Sequence, residues 1–169
     1  MKSFRLLFIL FIAGIGCISL QSCFNEAKAG QINTTTTDGK IAWNKIQDLE
    51  QIQKKNPKKV IIDVYTDWCK WCHVMDDKTF TNPDLKEFLL SEYHLVKLNG
   101  ENKSKLQFKG KQYEFVEGGR RGYNQLAATL LKGNLAYPSF VVMDENLEVV
   151  QVIRGYKDAA GFRAALATN

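Results

Sequence analysis

Cys69 and Cys72 stand in C-x-x-C spacing inside Asp67-Trp68-Cys69-Lys70-Trp71-Cys72-His73, with a histidine directly behind the second thiol. Such a group can work as a redox disulfide, as part of a metal site, or as the C-x-x-C-H attachment run of a c-type haem. Zinc needs about four ligands. Beyond these three side chains the sequence offers only His94 as a further histidine, and it has no second C-x-x-C. Metal is therefore not expected. A c-type haem stays open as the weaker alternative, because small c-type cytochromes are helical and supply a distal ligand, whereas this motif is entered from a strand-like run. The redox pair is the leading reading, and it needs no cofactor. If the motif opens a helix, Cys69 lies at the open end of its first turn and Cys72 one turn inside, which makes Cys69 the candidate nucleophile and Cys72 the resolving thiol. An unperturbed thiol near pKa 8.5 is only about 3% thiolate at pH 7, and a helix N-terminus with Lys70 beside it favours the thiolate. Trp68 and Trp71 are candidates for an apolar rim that docks substrate.

These side chains must be positioned by the elements around them. Val60 to Tyr65, Val-Ile-Ile-Asp-Val-Tyr, is a short β-branched run of the kind that forms a central strand covered on both faces. Asp63 in its middle is anomalous, since a charged carboxylate there costs several kcal/mol unless paired. It either has a raised pKa and a function or points out at an end of the sheet. Upstream, Trp43, Ile46, Leu49 and Ile52 recur at helical spacing until Asn56-Pro57. Downstream, a helix is expected from Cys69 through Met75. A second follows, with Asn82 as cap and Pro83 in its first turn, and His94 to Leu98 reads as the next strand. Parallel strands joined by right-handed crossovers are the consequence. Leu106 and Phe108 face Tyr113 and Phe115 across Lys109-Gly110, as in a small hairpin. Tyr123, Leu126, Ala127, Leu130 and Leu131 form an amphipathic helical stripe ended by Gly133. Ser139–Met143 and Leu147–Ile153 flank a turn at Asp144-Glu145-Asn146, and a last helix is expected over Asp158–Ala167.

The 169 residues, 45% hydrophobic and 24% charged, suit one folded domain. Lys2 and Arg5 precede an apolar run from Leu6 to Leu20, the pattern of an export signal. The run is shorter than the roughly 20 residues of a membrane span, although an uncleaved anchor stays open. Leu20-Gln21-Ser22-Cys23 resembles a bacterial lipobox, with Cys23 the lipidated residue, and cleavage after Ala29 is the alternative. The expected division is a lipoprotein-type signal over 1–22, a flexible polar tether over 23–40, and the working domain over 41–169. Of the four cysteines, Cys17 lies in the signal run and Cys23 is lipidated or removed, so Cys69 and Cys72 are the free pair. Lys103, Lys105, Lys109, Lys111, Arg120 and Arg121 interleave with Phe108, Tyr113 and Phe115. In a cytoplasmic chain that would raise nucleic acid as a partner. In an exported one it reads as a solvated loop or hairpin, and no nucleic acid is expected.

Taken together, the strand, the C-x-x-C at a helix start, the second strand, an X-Pro and a final hairpin and helix resemble the thioredoxin superfamily. Asp63-Val-Tyr-Thr-Asp-Trp68-Cys69 is similar to the family's approach to its active site, Val96–Asn99 to its second central strand, and Ala136-Tyr137-Pro138-Ser139-Phe140 to its cis-proline segment. The run Trp68–Leu89 is similar to exported bacterial members, including the C-terminal domain of DsbD-type reductases. The resemblance implies an α/β, thioredoxin-like fold with a central mixed sheet flanked by helices. It also implies Asp63 as proton acceptor for Cys72 with Lys97 assisting, and a cis Pro138 that presents the Tyr137 backbone to substrate. Lys70-Trp71 replaces the family's frequent Gly-Pro, and residues 101–119 look like an insertion. The expected function is an exported protein-disulfide reductase, lipid-anchored on the periplasmic side of a bacterial membrane. It would take electrons from a DsbD-type membrane thiol carrier and act on disulfide-containing exported proteins. A redox-inert thioredoxin-fold binding or chaperone module is the alternative from another class.

Overall fold

The computed structural model describes residues 35–37 and 39–168. The signal run, Cys23, the cleavage position after Ala29 and most of the tether lie outside the described residues. A bridge joins Thr35 to Ile41, and Lys40 pairs with Asp77 at 2.9 Å while Lys86 donates to the Gly39 carbonyl. Among the described residues no helix is long and apolar enough to cross a membrane.

A five-stranded mixed sheet carries the fold, in the order β1-β3-β2-β8-β9. Its strands are β1 (Asn44–Lys45), β2 (Lys59–Tyr65), β3 (Tyr93–Asn99), β8 (Ser139–Met143) and β9 (Val149–Arg154). β2 and β3 run parallel, whereas β8 pairs antiparallel with both β2 and β9. Helices α1 (Leu49–Lys55), α2 (Lys70–Val74), α3 (Pro83–Glu92), α4 (Gln125–Leu130) and α5 (Ala159–Leu166) flank it. Side-chain alternation divides the core between two faces. Val60, Ile62, Val64, Val96, Leu98 and Val141 pack against α1 and α4. Ile61, Leu95, Phe140 and Val142 pack against α3, α5 and Met75 and Phe80, which follow α2. Asp63 and Lys97 share the parity of the second set, so they lie on that face.

Four local departures from the expected elements have physical causes. Trp43 precedes α1, because Asn44 and Lys45 extend as a short strand along β3, with Asn44 Nδ2 donating to the Leu95 carbonyl at 3.1 Å. α2 does not end cleanly at Met75 but continues as a π-helical turn over Met75–Thr79. The hairpin register also differs from the expected one. Lys109 and Gly110 both take positive φ, 50° and 71°, the two-residue turn that matches strand twist. It pairs β4 (Leu106–Phe108) with β5 (Lys111–Tyr113), Leu106 opposite Tyr113. Phe115 therefore belongs to a second hairpin, β6 (Phe115–Val116) with β7 (Tyr123–Asn124). Tyr123 accordingly leaves the helical stripe, and Asn124 caps α4 by accepting from Leu126 N–H at 3.0 Å.

Candidate functional site

β2 ends at Tyr65 and a short loop delivers Cys69 to the N-cap of α2, where the Cys69 N–H donates to the Thr66 carbonyl at 3.0 Å. Cys69 and Cys72 are joined as a disulfide with their Cα atoms 5.3 Å apart. Sγ of Cys69 accepts the Cys72 backbone N–H at 3.2 Å. That N–H is directed at the Cys69 sulfur, as a donor to a thiolate there would be. Both cysteines are buried, 4% and 3% exposed. His73 folds back over the loop, Nε2 donating to the Asp67 carbonyl at 3.0 Å. His94 is elsewhere, at the start of β3, donating from Nε2 to the Asn56 carbonyl. No group of three His, Cys, Asp or Glu side chains that could hold a metal occurs among the described residues.

The sheet register sets Asp63 between Lys97 of β3 and Phe140 of β8. Asp63 is 2% exposed, and burial raises its pKa to about 7 against the pull of Lys97, whose Nζ is 3.4 Å from Oδ2. Its other oxygen, Oδ1, is buried with no hydrogen-bond partner among the described residues. A carboxyl group in that position sits near the midpoint of its titration at neutral pH, able both to take and to release a proton. Lys97 in turn holds Asp76 at 2.6 Å. Burial weakens the Lys97 ammonium, but the two carboxylates outweigh it and hold its pKa above the ordinary lysine value. The aromatic faces of Tyr65 and Trp43, 4.9 and 5.4 Å away, complete its surroundings. A cleft of about 240 Å³ lined by Lys40, Ile41, Trp43, Asp76, Phe80 and Lys97 opens this chain of charges to water. Asp76 was not singled out in the sequence, although its place four residues after Cys72 puts both on one helical face.

The rim is aromatic. Trp68 and Trp71 are half exposed, 50% and 53%, beside the almost inaccessible sulfurs. Tyr137 meets Trp68 edge-on at 6.0 Å, and Tyr156 packs on Trp71 at 5.1 Å. The Tyr137–Pro138 peptide bond is cis. Trp68 is pinned from the other side, its indole N–H donating to Glu101 at 2.8 Å. Gly100 is the seat of the Tyr137 ring: a Cβ there would lie 2.4 Å from the Tyr137 hydroxyl oxygen. Tyr156, Glu101 and Gly100 were invisible as site residues in the sequence, because each is brought in by a loop whose path no periodicity reports.

A family profile described as a thioredoxin-like domain matches residues 46–169. No curated protein sequence matches the chain. Among solved structures, a DsbH oxidoreductase superposes with a TM-score of 0.52 at 17% identity, covering 81% of this chain and 91% of its own. A thioredoxin-fold protein from Helicobacter pylori gives 0.50 at 14% identity, covering 66% and 68%. The oxidised C-terminal domain of Neisseria meningitidis DsbD gives 0.47 at 17%, covering 72% and 92%. At these identities the likeness to solved structures is one of fold. With the profile spanning most of the chain and a C-x-x-C disulfide at the start of α2, the protein belongs to the thioredoxin-like domain family and is a thiol–disulfide oxidoreductase.

Proposed function

We propose that the protein reduces disulfides in exported proteins through the Cys69–Cys72 dithiol. The observation that carries this reading is the buried Asp63 carboxyl, held at a pKa of about 7 on the sheet face that packs against Met75 and Phe80, which follow α2. A redox-inert disulfide has no need of a buried carboxyl with one oxygen on Lys97 and the other without a hydrogen-bond partner among the described residues. Cys69 thiolate attacks one sulfur of the partner disulfide, forming a Cys69–partner mixed disulfide and expelling the other partner sulfur as a thiolate. Cys72 then loses its proton to Asp63, and its thiolate attacks the Cys69 sulfur, displacing the second partner thiolate. Two electrons pass from the dithiol to the partner, whose thiolates take up the two protons released. Asp63 gives its proton back to water that enters by the cleft beside Trp43, with the Lys97 ammonium, held by Asp76, favouring the carboxylate that results.

Trp68, Trp71 and Tyr137 hold the partner by apolar contact, and the backbone before Pro138 offers an edge to an extended segment. The export pattern of residues 1–22 supports action outside the cytoplasm, with Cys23 lipidated and cleavage after Ala29 as the alternative. An oxidising compartment does not regenerate a dithiol, so a membrane thiol carrier of the DsbD type supplies the electrons. The Cys variants test the exchange itself. With a disulfide-bonded protein substrate and a dithiol reductant, Cys69→Ser abolishes turnover, and Cys72→Ser accumulates a mixed disulfide visible on a non-reducing gel. Turnover by Cys69→Ser, or no trapped adduct with Cys72→Ser, would return the redox-inert binding module to first place.

A further inference from the structure

Residues 101–122 do more than decorate the fold. Most of their cations are already engaged: Lys105 pairs with Glu114 at 2.8 Å, Lys109 pairs with Glu148, and Lys103 and Lys111 lie over the rings of Phe115 and Tyr113. Arg120 and Arg121 differ in their place, against Trp68 and Tyr137. Neither has a carboxylate partner within ion-pair distance among the described residues, and Arg121 lies over the Trp68 ring at 5.2 Å. Both arginines line a cleft of about 480 Å³ together with Trp68, Glu101, Leu135 and Tyr137. Trp68 is the residue before Cys69, so one wall of this cleft is the sequence neighbour of the reacting cysteine.

The loop that carries the arginines is built, not left over. Gly122 takes a φ of 70°, and a Cβ there would lie 2.4 Å from the Phe115 ring and 2.6 Å from the Val116 carbonyl oxygen. Its N–H donates to the Gly118 carbonyl at 2.8 Å, closing the turn. Glu101, the one carboxylate in the cleft, is committed to the Trp68 indole. Two guanidinium groups against one engaged carboxylate leave the cleft with a positive excess next to an apolar floor.

We propose that this cleft receives an extended segment of the disulfide partner that carries an aspartate or glutamate beside its cysteine, read by Arg120 and Arg121. The proposal rests on the oxidoreductase reading above and adds to it the substrate's chemistry. Charge complementarity argues for it: a planar guanidinium pairs bidentately with a carboxylate. The Trp68 and Tyr137 rings bury the neighbouring apolar atoms. The electron balance is unchanged, with the Cys69–Cys72 dithiol giving two electrons and two protons to the peptide disulfide and becoming a disulfide itself.

The test uses the full-length chain with dithiothreitol as reductant and three disulfide-linked peptides that differ only in having Glu, Gln or Lys beside the cysteine. The expected result is that kcat/KM for the Glu peptide exceeds that for the Gln peptide by about tenfold at low ionic strength, with the Lys peptide lowest. Raising the salt shrinks the ratio, because exposed charges are screened. In R120Q/R121Q the ratio falls to about one, and in R120E/R121E the order inverts in favour of the Lys peptide. Equal rates for all three peptides in the unaltered protein would overturn the proposal and leave the oxidoreductase reading standing. No reduction of any peptide would overturn both. If glutathione disulfide, a small anionic disulfide, gains as much from the arginines as the Glu peptide, the cleft takes small molecules and the peptide assignment is overturned. The salt dependence is read in the unaltered protein, so the test does not depend on the variants folding.

Discussion

Asp63 concentrates the chemistry of this site at the scale of a single residue. Sequence alone marked it, because a carboxylate interrupting an apolar strand demands a reason, but the sequence could not say whether it pointed inward. The structure answers that by burying it beside Lys97. Asp63→Asn keeps the shape and removes the proton acceptor. The resolving step should slow by roughly a hundredfold, within the range of general-base contributions. Its rise with pH near 7 should disappear, and mixed disulfide should accumulate in stopped-flow quench experiments; unchanged kinetics would remove Asp63 from the mechanism. Stability carries an independent sign. The folded carboxyl titrates near 7 and the unfolded one near 3.8, so between those values the folded state binds more protons and stability falls as pH rises. The loss reaches at most about 4 kcal/mol above pH 7. Denaturant titrations from pH 4 to 8 should show that slope in the unaltered protein and a flatter one in Asp63→Asn.

Elements decide where the aromatic rim sits. Trp68 and Trp71 were legible from their places around the pair, and Tyr137 from its place before Pro138. The contacts that hold them were not, since Gly100, Glu101 and Tyr156 arrive from the ends of β3 and β9 by loop geometry. Gly100 shows the consequence. Its backbone is tied on both sides, its N–H donating to the Tyr65 carbonyl and its carbonyl accepting from Asn124 N–H, both at 2.7 Å, so it cannot retreat from a side chain. Gly100→Ala should therefore push the Tyr137 ring off Trp68. We expect KM for a protein disulfide to rise severalfold while the reduction potential of Cys69–Cys72 stays where it was. A shifted potential with an unchanged KM would mean that Tyr137 acts on the sulfurs and not on the substrate.

For the whole molecule, the order of strands and helices was legible because β-branched runs, caps and the final hairpin each carry local signals. The role of residues 101–119 was not. As an insertion they suggest a removable surface loop, yet Leu106, Phe108 and Tyr113 are buried in the same core as α1, α4 and one face of the sheet. Short three-residue strands give too little periodicity to reveal such burial. Leu106→Ala should accordingly cost about 2–5 kcal/mol in urea unfolding, the loss typical of a buried leucine. A cost below about 0.5 kcal/mol, the level of a surface substitution, would make the hairpin peripheral. The central claim, that the pair works as a reductant, is tested most directly by the equilibrium reduction potential of Cys69–Cys72 in the full-length protein. Our account predicts a value near the thioredoxin level of about −270 mV. A value near the DsbA level of about −120 mV would make the protein an oxidant, and a disulfide that never equilibrates with a dithiol buffer would contradict redox function altogether.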